Sequence, residues 1–201
     1  MNDTLFLSTP RALHFAYMMQ AFAALPESSL SILIDQFIME SDVWNPRPAK
    51  TVDFRGLTRA EMFAECAGIR AAVVRECSPL ERTVIACRYE LTSYVRCDGA
   101  RVAHFSRARA EAFKAVARYA QTAWFTTLPA DVMLLLVAHA FVTKRETPIT
   151  LRRLADEYGH SHTHWHRVSN KLVHLLMTVE ARALDTLEPY FTRRCHGVSI
   201  A

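Results

Sequence analysis

The chain has 201 residues, 51% of them apolar, enough to close a sizeable core without disulfide or metal staples. Its 24 Lys and Arg against 20 Asp and Glu give a formal charge of +4, a mild basic excess that favours polyanionic partners without choosing among them. The five cysteines, Cys66, Cys77, Cys87, Cys97 and Cys195, are odd in number and form no C-x-x-C pair, which argues against a disulfide framework or a zinc ribbon and for reduced thiols in a cytoplasm.

Met1 to Leu7 lacks the basic n-region of a signal peptide. From Pro10 to Leu25 the residues Leu13, Phe15, Ala16, Met19, Phe22 and Ala23 recur near helical spacing, and Pro26-Glu27-Ser28 ends that helix and begins another. The second, from Ser28 to Glu40, carries Leu30, Leu33, Ile34, Phe37 and Ile38. Trp44-Asn45-Pro46-Arg47-Pro48-Ala49-Lys50 cannot be helical, because each proline removes a donor and biases its predecessor to extended geometry.

Thr58 opens a further helix, with Glu61 at the reciprocal position of a capping box and Met62, Phe63, Cys66, Ile69 and Val73 following. Ser78-Pro79-Leu80-Glu81 starts the next by the same chemistry, with Leu80, Val84, Ile85 and Tyr89 along it. Between Ser93 and Phe105 the pattern changes: Tyr94, Val95, Val102 and Phe105 flank Asp98-Gly99, a dipeptide suited to a tight hairpin turn. Helix returns over Ser106 to Thr126, where Arg107, Arg109, Lys114 and Arg118 stand against one acid, Glu111, and Phe113, Val116, Ala117, Ala120 and Trp124 occupy another face. These four cations are candidate phosphate contacts.

Pro129 leads into an apolar helix, Asp131 to Val142, with Val132, Leu135, Leu136 and Phe141. It contains the most lipid-like run of the chain, yet falls well short of the ~20 residues that span a bilayer. A soluble, cytoplasmic protein without a membrane partner is the expectation. Thr143 to Pro148 then reads as a loop.

Thr150 to about Leu176 carries the strongest signal. A helix-turn-helix requires apolar residues inward on its first helix, a small residue where the second passes closest, and a turn tolerant of positive φ. Thr150 can cap a helix in which Leu151, Leu154 and Tyr158 line one side, Ala155 supplies the small contact and Gly159 takes the turn. Ser161 caps a second helix, whose Trp165, Val168 and Leu172 recur at intervals of three and four and so pack inward. His162, Thr163, His166, Arg167 and Asn170 are left outward, Arg and Asn being the types best matched to guanine and adenine edges. With Arg152, Arg153, Ser161 and Lys171 they make up the expected DNA-contacting set.

The histidine run His160, His162, His164 and His166 contains two pairs one helical turn apart, but the pairs point to different sides and no local acid or cysteine completes a metal site. Imidazoles facing phosphate, gaining charge as pH falls, are the preferred use, and no metal or cofactor is expected. Beyond the motif, Leu172, Leu175, Leu176, Val179, Ala183, Leu184 and Leu187 prolong an apolar stripe up to Pro189. Burial against the N-terminal helices and a dimer seam are both consistent with that spacing, so monomer and homodimer stay open.

Thr150-Leu151-x-x-Leu154-Ala155-x-x-Tyr158-Gly159-x-Ser161, followed by Trp165, Arg167, Val168 and Lys171, resembles region 4 of bacterial sigma factors, the part that reads the upstream promoter element. Pro129 to Val142 resembles the helix preceding that motif, so the resemblance spans Leu128 to Leu176 and leaves the earlier chain without a sigma-factor counterpart. His160 departs from the pattern, which usually has an apolar residue after the glycine. Length, layout and a motif near the C-terminus are also similar, more loosely, to phage and prophage regulators of late genes, including antitermination proteins of the Q type. The resemblance implies double-stranded DNA and RNA polymerase as partners.

The fold expected is mainly all-α and multi-helix, with a C-terminal helix-turn-helix and a small β-hairpin near 93–105. Its organisation reads as an N-terminal helical pair over 1–44, a linker over 45–57, a central helical region with the basic helix over 58–127, and a helix-turn-helix domain with a long last helix over 128–201. With no G-x-G-x-x-G, P-loop, G-x-S-x-G or H-E-x-x-H and only five glycines, no enzyme and no catalytic residue is expected. Two function classes remain: a DNA-binding transcription regulator, or an interaction module docking on RNA polymerase or another protein without reading bases.

Overall fold

Local hydrogen-bond exchange sets where several helices begin. In the computed structural model, which describes residues 8–21, 58–97, 100–142 and 150–195, Thr58 Oγ1 accepts from the Glu61 amide at 3.3 Å while Glu61 Oε2 accepts from the Thr58 amide at 2.7 Å. Ser78 and Glu81 make the same reciprocal pair, with Pro79 in the first turn where its missing N–H costs nothing. These caps open α2 (Arg59–Glu76) and α3 (Pro79–Tyr89), after α1 (Thr9–Ala21). Strands β1 (Thr92–Cys97) and β2 (Ala100–Phe105) follow, then α4 (Arg107–Ala123), α5 (Ala130–Phe141), α6 (Leu151–Tyr158) and α7 (His162–Cys195).

The protein is thus mainly all-α, with seven helices and one two-stranded antiparallel hairpin among the described residues. The ladder runs from Thr92 opposite Phe105 to Cys97 opposite Ala100, flanking positions 98–99. The helix expected over Ser28 to Glu40, the proline-bearing linker and the Thr143 to Pro148 loop lie outside the described residues. None of the described helices is long and apolar enough to cross a membrane.

Two compact units are present. The first comprises Met1–Cys77 with Leu184–Ala201, so its described parts are α1, α2 and the end of α7. Its core includes Leu13, Phe15 and Met19 of α1 with Cys66, Ile69 and Val73 of α2, and Arg70 Nη1 donates to the Ala16 carbonyl at 2.9 Å.

Ser78–Ala183 forms the second unit. Val84 and Cys87 of α3, Phe113, Val116 and Ala120 of α4, Val132, Leu136 and Phe141 of α5, Leu154 of α6, and Trp165, Leu172, Leu176 and Val179 of α7 share one core. Glu81 and Arg182 pair at 2.5 Å, and Arg88 meets Glu180 through both its Nε and Nη2, tying α3 to the middle of α7.

The division between units falls at Cys77, inside the region expected to run over 58–127. Cys77 takes an extended conformation (φ −86, ψ 145) that ends α2, and Ser78 caps anew. A second crossing lies within α7, whose 34 residues run about 51 Å and pass Pro189 without ending. Its stripe is accordingly shared: residues up to Val179 complete the second unit's core, whereas Leu187, fully buried, belongs to the first. Burial of the whole stripe against the N-terminal helices is thereby corrected, and its part up to Val179 is not a free dimer seam.

Candidate functional site

Helix α6 is capped by Thr150, whose Oγ1 accepts from the Arg153 amide at 3.1 Å. Leu154 is shut into the core, with Leu151, Ala155 and Tyr158 packed half-buried on it. The Tyr158 hydroxyl donates to Asp131 Oδ2 at 2.8 Å, joining the end of α6 to the first turn of α5. That bond holds the Asp131 carboxyl below its ordinary pKa and raises the Tyr158 phenol above its own.

Three residues, Gly159 to Ser161, separate α6 from α7. Gly159 has φ 71 and ψ −166, a mirror-extended conformation open essentially to glycine alone. His160 follows at φ 66, a left-handed geometry no other non-glycine residue adopts among the described residues. Its ring stacks on His164 at 4.6 Å and meets Trp165 edge-on at 5.9 Å, contacts that offset the ~1–2 kcal/mol of left-handed backbone. The departure from an apolar residue after the glycine thus corresponds to a ring stack at the turn. Ser161 Oγ accepts from the His164 amide at 3.2 Å, so its hydroxyl serves as the cap of α7.

The rotation of α7 is fixed by its indole. Trp165 is 1% exposed, and its Nε1 donates to the Gly159 carbonyl at 2.8 Å. With Trp165 and Leu172 inward, Ser161, His162, Thr163, His166, Arg167, Asn170 and Lys171 are all exposed, as are Arg152 and Arg153 of α6.

These nine side chains differ in availability. Arg153 pairs with Glu157 at 2.6 Å, and Asn170 Nδ2 lies 3.1 Å from His166 Nδ1. Lys171 Nζ rests 5.5 Å above the Phe125 ring, a cation–π contact. Arg152 and Arg167 have no hydrogen bond or ion pair among the described residues, so both guanidinium groups can meet an anion without first breaking a bond.

Of the four cations proposed on α4, three are exposed: Arg107, Lys114 and Arg118. Arg109 is the correction. It is 6% exposed, with Nε donating to the Cys87 carbonyl at 3.0 Å, Nη2 to the Phe141 carbonyl at 3.4 Å and Nη1 to Thr92 Oγ1. The guanidinium also lies 5.5 Å from the Phe105 ring and 5.4 Å from the Phe113 ring. Burial pushes its pKa down from the ordinary guanidinium value. Cys87 and Phe141 stand at the ends of α3 and α5, where carbonyls lack helical partners, so Arg109 satisfies two helix ends and holds the first residue of the hairpin. It is unavailable to phosphate.

Among the described residues no three or more His, Cys, Asp or Glu side chains converge on a point that could hold a metal ion. His162 and His166 stand 6.2 Å apart on the exposed side, and His164, against Trp165 at 5.2 Å, has its Nε2 buried without a hydrogen-bond partner. Cys66, Cys77 and Cys87 are buried free thiols, and burial pushes the Cys66 thiol up to about 12, far from nucleophilic use.

Sequence reasoning missed Asp131 and Phe125, the neighbours of Tyr158 and Lys171. Neither has a local signal, since each contact joins residues far apart in the chain. No protein-family model matches this chain, and no curated protein matches it in sequence.

Proposed function

We propose that the chain is a double-stranded DNA-binding transcription regulator that reads base edges with the outer face of α7 and grips flanking phosphates from α6. The observation that supports this most directly is the shutting-in of Trp165 and Leu172, which leaves His162, Thr163, His166, Arg167 and Asn170 exposed along the first turns of α7. Arg167 and Asn170 are the residues to discriminate guanine and adenine; Arg152, Arg153 and Lys171 supply phosphate contacts.

The resemblance to sigma region 4 makes RNA polymerase the second partner, in the manner of a phage or prophage antitermination or late-gene regulator. The activity calls on no catalytic residue, metal or cofactor and places the protein in the cytoplasm.

Selection of bound duplexes from random DNA, with and without RNA polymerase, tests the reading. A shared sequence is expected without polymerase. The double variant R167A/N170A is expected to lose about 2 to 6 kcal/mol of discrimination, at ~1–3 kcal/mol per base-reading side chain, while keeping its helical content. An unaltered preference would refute base reading by this face, and enrichment only in the presence of polymerase would favour a protein-docking module.

A further inference from the structure

We infer that α4 carries a second duplex-binding surface, on which Arg107, Lys114 and Arg118 track the phosphate backbone beside the site read by α7. The inference rests on the DNA reading above and extends its footprint. With Arg109 withdrawn into the core, the charged residues at 107, 111, 114 and 118 fall on one line of the helix, opposite the buried Ala112, Phe113, Val116 and Ala120. From Arg107 to Arg118 the helix rises about 16 Å, and a single DNA strand presents a charge every ~3.4 Å along the duplex axis, so the line spans roughly five phosphates.

Two of the three cations, Arg107 and Arg118, have no ion pair among the described residues. Among the described residues Lys114 is held only by Glu111, at 3.0 Å, an exposed pair of small worth that a phosphate can displace.

The segment just past the C-terminal end of α4 adjoins Lys171 of α7. The Phe125 amide, just past α4, donates to the Ala120 carbonyl at 2.8 Å, and the Phe125 ring is the one beneath Lys171 Nζ. A duplex lying against Lys171 therefore has the end of α4 beside it, and the net positive charge of the line that begins at Arg118 and runs back to Arg107 matches a phosphate backbone.

The test measures affinity of the full chain for its selected duplex and for a random duplex of about 30 base pairs, by fluorescence anisotropy between 50 and 200 mM salt. Wild type, R107Q/K114Q/R118Q and R167A/N170A are compared, with helical content checked by circular dichroism. Three lost phosphate contacts are expected to flatten the slope of log K against log salt by about 2.7, so that wild type loses about 40-fold more affinity across that range than the triple variant. The flattening should be equal on both duplexes and leave the preference between them intact. A slope within about 0.5 of wild type would overturn this inference while R167A/N170A, having lost its preference, upheld the reading by α7. A wild-type chain that binds neither duplex would overturn both.

Discussion

Replacing Arg109 with methionine isolates what a buried guanidinium does for the second unit. Methionine keeps most of the length and its contact with Phe105 and Phe113, so the cavity is small and the lost hydrogen bonds dominate. Two buried carbonyls, those of Cys87 and Phe141, then lack partners. An unpaired buried acceptor costs about 1–3 kcal/mol. Because the Phe141 bond is long at 3.4 Å, the expected loss lies in the lower half of that sum, about 2–4 kcal/mol. R107M is the matched control, the same substitution two residues away on the exposed face, where a change within about 0.5 kcal/mol is expected. Urea unfolding followed by far-ultraviolet circular dichroism measures both. If R109M stayed within about 1 kcal/mol of R107M, the account of Arg109 as the partner of two helix ends would be wrong.

Gly159→Ala should cost about 1–3 kcal/mol from backbone strain alone, since an added Cβ meets nothing within 4 Å; thermal unfolding at unchanged helical content would reveal it, and a neutral result would exclude the observed turn conformation. Trp165→Ala removes a fully buried ring and its bond to the turn, with about 3–5 kcal/mol lost in denaturant titration; a cost below about 1 kcal/mol would mean that the indole is not inward. For Glu81, burial raises the pKa, but the Ser78 amide and hydroxyl and the Arg182 guanidinium outweigh it, so the carboxyl sits below its ordinary value. Its contribution is therefore present above the unfolded pKa of ~4.3 and lost as pH falls through the lower folded value, so wild type should lose stability on acidification more steeply than E81Q, and parallel profiles would contradict this.

What could be read in advance was what is encoded within a turn or two of helix. Both capping boxes, the proline-started α3, the Asp98-Gly99 position of the hairpin and the inward phase of Trp165 and Leu172 depend on residues no more than about seven apart. Arg109 escaped because it was counted as charge rather than placed by phase. It stands in step with Phe113, Val116 and Ala120, the apolar line of its own helix, and that periodicity was the available signal. The Tyr158–Asp131 bond, the Arg88–Glu180 pair and the sharing of α7 between two units had none, because each joins residues brought together only by the assembled fold.

The indole bond from Trp165 to the turn has one more implication. A helix advances about 100° per residue, so slipping α7 by a single position against α6 would swing Arg167 through more than a quarter circle. Anchoring the ring to the carbonyl of Gly159 indexes the whole rod at its first turn. Lengthening the Gly159-His160-Ser161 connection by one residue would therefore break the register between the indole and the turn while leaving each helix intact.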